Sequence, residues 1–336
     1  MNAQYFVFFL AFLVFSPGTL SAQSNGIDTA YIQEQPEKMI LRYYLSKKFT
    51  ELNFGEAIGT YEPNSGLNLG IGVSFQKFTL NIGVPVGFLN SNRQKEWPAF
   101  LDLQAHMYPS NWIIDLFGQF YNGYLINDYQ GTGVDYLRRD IKLVKLGMSA
   151  SYLFNGEKMS FEAAFHQTAI QKKSAFSPML GFEAYRVRIS GNSLILPEDE
   201  GPIPGNYTRG DFYQVGPNAG LAGTLVFGNG FFLTGAASGN VGLGVSKADQ
   251  NRETRNVAIM PGYFLRGFAG YNGERFSING NYVYKHLNLG RQQDIASSAN
   301  TGNFRINLIY KINPSPKLEK TFTKLNPLKI VERIFD

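Results

Sequence analysis

The sequence has no cysteine among its 336 residues, which excludes disulfide bonds, thiolate metal sites and cysteine nucleophiles. Charged residues are also scarce, at 17%, where soluble globular domains carry about 25%. Hydrophobic residues make up 44% and aromatic residues 15% of the chain, and that content argues against disorder. Several apolar runs of about 20 residues, the mark of a helical membrane protein, are lacking. These absences leave a large β protein.

One apolar run stands at the beginning of the chain. It extends from Phe6 to Phe15 and is followed by small residues up to Ala22. A run of this length is too short to span a bilayer and fits the apolar core of a signal peptide. We expect residues 1–22 to be a signal peptide, although the segment before Phe6 has no Lys or Arg. The alternative is a buried N-terminal strand or helix.

Strict alternation of residue types dominates the rest of the chain. From Leu67 to Phe88, apolar residues occupy every second position, and the positions between them hold mainly Gly, Asn, Ser and Thr. The outward face of a soluble sheet would carry many charges. A membrane barrel instead turns its apolar face to lipid and its polar face to the lumen. The pattern therefore favours a barrel and disfavours a soluble periplasmic β protein.

Similar segments recur along the chain, with short turns alternating with longer links. The turn Asn155–Glu157 leads into an alternating segment at 159–166, for which we predict a strand. Alternation slips in 178–189, where Arg186 and Arg188 fall in the phase of apolar residues, and a bulge would explain this. We read 190–212 as a loop. The candidate strands are odd in number, but a bacterial single-chain barrel needs an even number.

The predicted fold is therefore all-β. It is a transmembrane antiparallel β-barrel of about 12 strands, with about 14 as the next choice, placed in the bacterial outer membrane. We predict four parts: a signal peptide (1–22), a periplasmic N-terminal lead (23–38), the barrel (39–313) and a C-terminal periplasmic tail (314–336).

Five segments resemble an uncharacterised family of outer-membrane barrels from Bacteroidota, a domain of unknown function. They are LRYYLSKKFTELNF (Leu41–Phe54), YEPN (Tyr61–Asn64), LGIGVSFQKFTLNIGV (Leu69–Val84), QKKSAFSP (Gln171–Pro178) and NSLILP (Asn192–Pro197). The resemblance implies a barrel in the outer membrane. It brings no assigned activity and no catalytic residues.

Little in the sequence points to catalysis. The chain has 3 histidines, and none stands at metal-ligand spacing from another histidine or a carboxylate. We predict no metal and no cofactor. An outer-membrane acyl hydrolase would need a Ser–His pair, and His166 with Ser149, Ser151 or Ser160 is the candidate. The sequence favours a non-enzymatic role and leaves this alternative open.

Charged residues that the alternation turns inward are the candidate functional residues. The candidates for lining the lumen are Lys145, Glu162, His166, Glu183, Arg186, Arg188, Arg266 and Arg305. They would form a polar pathway or binding site, or they would fill the interior with ion pairs. We expect a small pore, a ligand-binding barrel or an envelope structural protein. Its predicted partners are outer-membrane lipids and a small solute or envelope protein; scattered basic residues do not indicate nucleic acid.

Overall fold

The computed structural model describes residues 26–325 apart from 56–57, 76–77, 87–89, 91–100, 110, 200, 229, 250–255 and 293–294. The predicted signal peptide lies outside the described residues. None of the helices in the described ranges has the length and apolar character needed to cross a membrane.

Antiparallel strands make up most of the described chain. A small sheet pairs Ile32–Glu34 (β1) with Ala169–Gln171 (β9). The large sheet contains Met39–Asn53 (β2), Thr60–Pro63 (β3), Leu67–Phe75 (β4), Phe78–Pro85 (β5), Leu101–Met107 (β6), Trp112–Ile126 (β7), Tyr136–Leu153 (β8), Ala175–Ser190 (β10), Arg209–Phe227 (β11), Phe231–Ala248 (β12), Asn256–Asn272 (β13), Phe276–Gln292 (β14) and Ile295–Ile312 (β15). Two α-helices, Phe161–Phe165 (α1) and Pro316–Leu325 (α2), and a 3₁₀ turn at Tyr129–Gly131 complete the fold.

The large sheet closes on itself because β15 pairs with the full length of β2, from Ser298 opposite Asn53 to Ile312 opposite Met39. Ten strands form the hydrogen-bonded ring, and three more, β4, β5 and β6, pair outside it. The short β3 bridges the ends of β2 and β7. Below that bridge β4 pairs with β2, and β6 pairs with β7. The ring is thus an all-β antiparallel barrel, with a count that differs from the expected twelve.

Each long strand of the barrel has one buried and one exposed face, which is the consequence of the two-residue repeat of a β-strand. On β8, Leu143 and Lys145 point inward and are buried, whereas Leu146, the residue that follows Lys145, points outward and is exposed. The inward face thus holds polar residues together with apolar clusters toward the ends of the barrel, and the outward face carries large apolar side chains. This arrangement inverts that of a soluble sandwich, whose apolar face is buried.

The barrel has two different ends. We name the end at which β2 begins and β15 ends the termini end, and the opposite end the loop end. Strands at the termini end are joined mostly by short turns, such as 228–230 and 273–275. The longest described connection at the loop end is 191–208, between β10 and β11.

A plug, formed by β1, α1 and β9, fills the termini end. Phe161 and Ala164 of α1 pack against Phe268 on the barrel wall. Asn272 holds the plug by donating hydrogen bonds to the carbonyl oxygens of Ala163 (3.1 Å) and Ala169 (2.8 Å). The strand predicted at 159–166 is therefore wrong. Ser160 caps a helix there by accepting a hydrogen bond from the Ala163 amide.

The loop end is filled by a second apolar cluster. Connection 191–208 folds over the interior, so that Ile195, Leu196 and Tyr207 are buried among residues of the barrel wall. The Tyr61 hydroxyl donates a hydrogen bond to the Ile195 carbonyl at 2.7 Å, and Arg138 donates to the Leu194 carbonyl, also at 2.7 Å. Charged residues occupy the space between the two apolar clusters.

Candidate functional site: an ionic layer inside the barrel

Halfway along the barrel, buried ionisable side chains meet in what we term the ionic layer (His106, Asp115, Lys145, Glu183, Arg266 and Lys285). Lys285 Nζ lies 2.6 Å from Glu183 Oε1, and the two side chains are 1% and 2% exposed. β10 and β14 are not neighbours in the sheet, so this pair reaches across the interior. It fixes the distance between opposite walls of the barrel.

A second ionic contact centres on Asp115, whose side chain is fully buried. One carboxylate oxygen accepts a hydrogen bond from Arg266 Nη2. The other lies 2.6 Å from His106 Nδ1. Since an ionised carboxylate only accepts hydrogen bonds, Nδ1 carries the proton of the His106 ring in this contact. Asp115 is thus satisfied on both oxygens.

Lys145 is held by a hydroxyl and two aromatic rings. Its Nζ donates to Thr301 Oγ1 at 2.5 Å and lies 5.2 Å from the ring centre of Phe117 and 5.6 Å from that of Tyr185. The same Tyr185 ring lies 5.1 Å from Lys285 Nζ. Cation–π attraction stabilises a desolvated ammonium group, so Tyr185 supports both lysines.

Inward glycines provide the space for these large side chains. A Cβ added at Gly147 would lie 2.1 Å from Cδ1 of Tyr185, its cross-strand neighbour. Nearer the termini end, Tyr44 occupies the space above Gly70 and Gly83 in the same way. Arg305 stacks on Tyr44, with 4.4 Å between its Cζ and the ring centre. The interior is therefore tightly packed at its glycines.

This packing leaves little free volume. The best-formed cavity among the described residues measures about 10 Å³ and lies beside the plug, lined in part by Ala163, Thr224 and Asn272. That is about the space of one water molecule. The described residues of the ionic layer are in close contact, and they join opposite walls of the barrel.

The structure places the predicted lumen residues in four groups, three of which point inward. Lys145, Glu183 and Arg266 belong to the ionic layer, and Arg305 points inward beside Tyr44. Two residues belong to the plug region: Glu162, on α1, accepts a hydrogen bond from Thr168 at 2.6 Å, and His166 caps the end of α1.

The inward placement predicted for Arg186 and Arg188 is wrong. Both lie on the outward face, where Arg186 stands opposite Tyr213 and Arg188 opposite Asp211 on β11. They share the phase of the exposed Phe182. No bulge interrupts β10, which pairs with β11 in unbroken register from Ala175 to Ser190.

Asp115 and Lys285 are essential members of the ionic layer that were absent from the predicted site residues. A signal existed for Asp115, which occupies a polar position between the outward apolar residues Ile114 and Leu116, whereas Lys285 lies between Tyr284 and His286 and is less clearly marked. An isolated inward charge shows no partner in the sequence. Only the closed barrel shows that such charges meet.

The serine and histidine residues that the structure describes do not form a hydrolytic pair. Among the described residues, His106 contacts Asp115, and His286 contacts Asn300, but no serine hydroxyl hydrogen-bonds to a histidine ring. Ser151 donates instead to Asn218 at 2.8 Å, and Ser160 caps α1. Nor does any group of three or more metal-ligating side chains in the described ranges have the arrangement of a metal site.

A family model for a domain of unknown function, DUF4421, matches residues 26–311, which cover the plug and the whole barrel. The chain belongs to the DUF4421 family. The expectation that the chain belongs to a family of unknown function is thus confirmed. Among curated proteins, none matches this DUF4421 chain.

Solved barrels are similar to the DUF4421 chain at low identity. The outer-membrane protease OmpT from Escherichia coli is 11% identical, with a TM-score of 0.37, over 83% of this chain and 98% of that one. The translocator domain of the autotransporter NalP from Neisseria meningitidis is 8% identical, with a TM-score of 0.34, over 87% and 93%. Neisserial surface protein A is 7% identical, with a TM-score of 0.24, over 82% and 97%. The function of the DUF4421 barrel is therefore argued from its own residues.

Proposed function

We propose that the protein is a bacterial outer-membrane β-barrel that is closed to solutes and serves as an envelope structural protein. The observation that carries this proposal is the ionic layer between two apolar clusters. A pore needs a continuous water-filled path, whereas Glu183–Lys285 and Asp115–Arg266 cross the interior in close contact. A small ligand would fit into the barrel beside the plug only if the plug moved aside.

The outward face supports placement in a membrane. Leu243, Ile259 and Leu308 are 64%, 68% and 57% exposed, and contiguous apolar surface of this kind is unusual on a soluble protein. Aromatic rings cluster on this face at the termini end, with 4.7 Å between the ring centres of Phe276 and Tyr310. Girdles of aromatic residues at the membrane interfaces are typical of outer-membrane barrels.

An even strand count follows if β5 and β6 are neighbours in the membrane. The wall would then contain β4, β5 and β6 in place of the short bridge β3, which gives twelve strands. We also propose that residues 1–22 are removed on export, and that the lead (23–38) and the tail (314–336) lie in the periplasm. The plug and α2 would then be on the periplasmic side.

Conductance across a planar lipid bilayer tests the closed state. The purified full-length barrel, inserted at high density, should give no steady conductance above that of the protein-free bilayer. A variant that lacks the plug, has connection 191–208 replaced by a short turn and carries D115A, E183A, R266A and K285A should conduct, because the fillings of both ends and the ion pairs across the interior are then removed. Steady conductance of the wild-type barrel would refute the closed state.

Membrane placement has its own test. Cells that express the full chain should yield it in the outer-membrane fraction, extractable only with detergent, and the folded protein should migrate differently on a gel before and after boiling. A soluble periplasmic product with a single gel position would refute the outer-membrane barrel. Sequencing the N terminus of the exported protein checks cleavage after Ala22.

A further inference from the structure

A compact basic patch lies on the outward face of β8, β10, β11 and β12 near the loop end. Three arginines converge on one carboxylate there: Arg188 Nε lies 2.6 Å, Arg209 Nε 3.2 Å and Arg186 Nη2 3.8 Å from an oxygen of Asp211. The side chains of Arg186 and Arg209 are still 39% and 51% exposed. The guanidinium groups therefore keep donors free for a further anion.

Strand register places two lysines beside these arginines. Lys247 stands directly opposite Asp211, and Lys142 stands opposite Ser190, whose other cross-strand neighbour is Arg209. Both lysines are exposed. Neighbouring strands are about 4.8 Å apart, so the whole patch (Lys142, Arg186, Arg188, Arg209, Asp211 and Lys247) is only a few strands wide.

Positive charge exceeds negative charge in this patch. Five basic side chains surround Asp211. Of the nearby carboxylates at the same end, Asp140 is engaged by Arg138 at 2.8 Å, and Asp249 accepts hydrogen bonds from Thr208. Since exposed charges of one sign repel one another, a cluster of this kind is stabilised by an anion that binds between them.

Directly below the basic patch the outward face becomes apolar. Leu146 and Tyr213 are the cross-strand neighbours of Arg186, and Val215 and Leu243 follow on β11 and β12. All four side chains are 39–64% exposed. The surface is therefore amphipathic, with cations at the end of the barrel and apolar side chains toward its middle.

We propose that this patch binds the phosphate headgroup of an anionic lipid in the outer leaflet, whose acyl chains lie along the apolar residues below. Arginine matches phosphate because its planar group donates two parallel hydrogen bonds. A free phosphate ion would use the cations alone and leave the adjoining apolar surface without a partner. The inference rests on the proposed membrane placement and goes beyond it by naming a lipid class and its site.

Native mass spectrometry of the full-length barrel in neutral detergent tests the site. The wild-type protein should bind dimyristoylphosphatidylglycerol more tightly than dimyristoylphosphatidylcholine when it is titrated with each lipid. The triple variant R186Q/R188Q/R209Q should weaken phosphatidylglycerol binding about 100-fold, because each basic residue near an anionic headgroup adds about fivefold.

A matched control removes the same charge at the opposite end. The triple variant K158Q/K172Q/K173Q changes three partly or fully exposed lysines near the plug and should bind phosphatidylglycerol at the basic patch as wild type does.

The variant D211N should change binding in the direction opposite to that of the triple arginine variant. It removes the carboxylate that competes for the arginines, so binding should tighten about fivefold.

Three results would overturn the site: equal affinity for the two lipids, equal losses in the two triple variants, or weaker binding in D211N. Displacement of the lipid by inorganic phosphate alone would show a free-anion site and would also overturn it. Failure of the membrane placement is recognised separately, because such a protein stays soluble without detergent and shows no gel shift on boiling.

Discussion

The buried pair Glu183–Lys285 allows the role of the ionic layer to be measured. At 2.6 Å and an effective dielectric constant of about 20, the attraction is about 6 kcal/mol, and dehydration of the two ions offsets much of it. Removal of one partner leaves the other charge buried and unpaired, which costs about 3–5 kcal/mol. We therefore expect E183M and K285M each to lower the free energy of unfolding by that amount.

The double variant E183M/K285M has a different expectation. Replacement of both ions by apolar side chains of similar volume is often neutral, so its free energy of unfolding should stay within about 1 kcal/mol of the wild-type value. The double-mutant cycle should give a coupling energy of at least about 5 kcal/mol, which is the sum of the two single losses less the small change in the double variant. Urea-induced unfolding from lipid vesicles, followed by tryptophan fluorescence, provides the measurement.

An exposed pair provides the control for this cycle. Glu157 Oε1 and Lys158 Nζ are 3.7 Å apart with 42% and 38% of their side chains exposed, so E157M and K158M should each change stability by less than about 1 kcal/mol. The reasoning is refuted if the effects of E183M and K285M simply add in the double variant. Additivity would mean that the two ions contribute independently.

Three further predictions concern the packing of the interior and the plug. G147V should lower the free energy of unfolding by about 1–3 kcal/mol through overpacking against Tyr185, and in urea unfolding the same substitution should cost less when it is made in a Y185A background. F161A should cost about 3–5 kcal/mol and make the plug accessible to protease, whereas unchanged proteolysis would argue against its packing. Burial, with repulsion from Arg42, lowers the pKa of His166 to about 3. Because the unfolded value is about 6.5, stability should be complete above pH 6.5 and decline as pH falls toward 3. The variant H166N should flatten that pH dependence of the unfolding midpoint, and an unchanged pH profile would show that His166 does not cause it.

Alternation was a reliable guide wherever one strand face met the interior of the barrel and the other pointed away. Lys145 and Leu146 could be assigned to opposite faces from their positions alone, because successive side chains of a strand point in opposite directions. The same rule also applied to Arg186 and Arg188, which share the outward phase of Phe182. The inward assignment failed because it gave the charge of these arginines more weight than their phase.

The plug could not be recognised by alternation. Apolar residues at Phe161, Ala163 and Phe165 fit a strand, but Ser160 caps a short helix and Phe161 packs against Phe268. A segment of this length is a marginal helix on its own. Its packing inside the barrel, which involves strands far along the chain, decides its conformation.

By itself, the sequence determined that the chain forms two-faced antiparallel strands with apolar side chains outward, because this property depends on the geometry of each strand. Only the tertiary structure decided which inward charges meet. Glu183 and Lys285 are 102 positions apart, and Asp115 and Arg266 are 151 positions apart. Barrel closure brings them together, and burial at that depth requires each charge to have a partner.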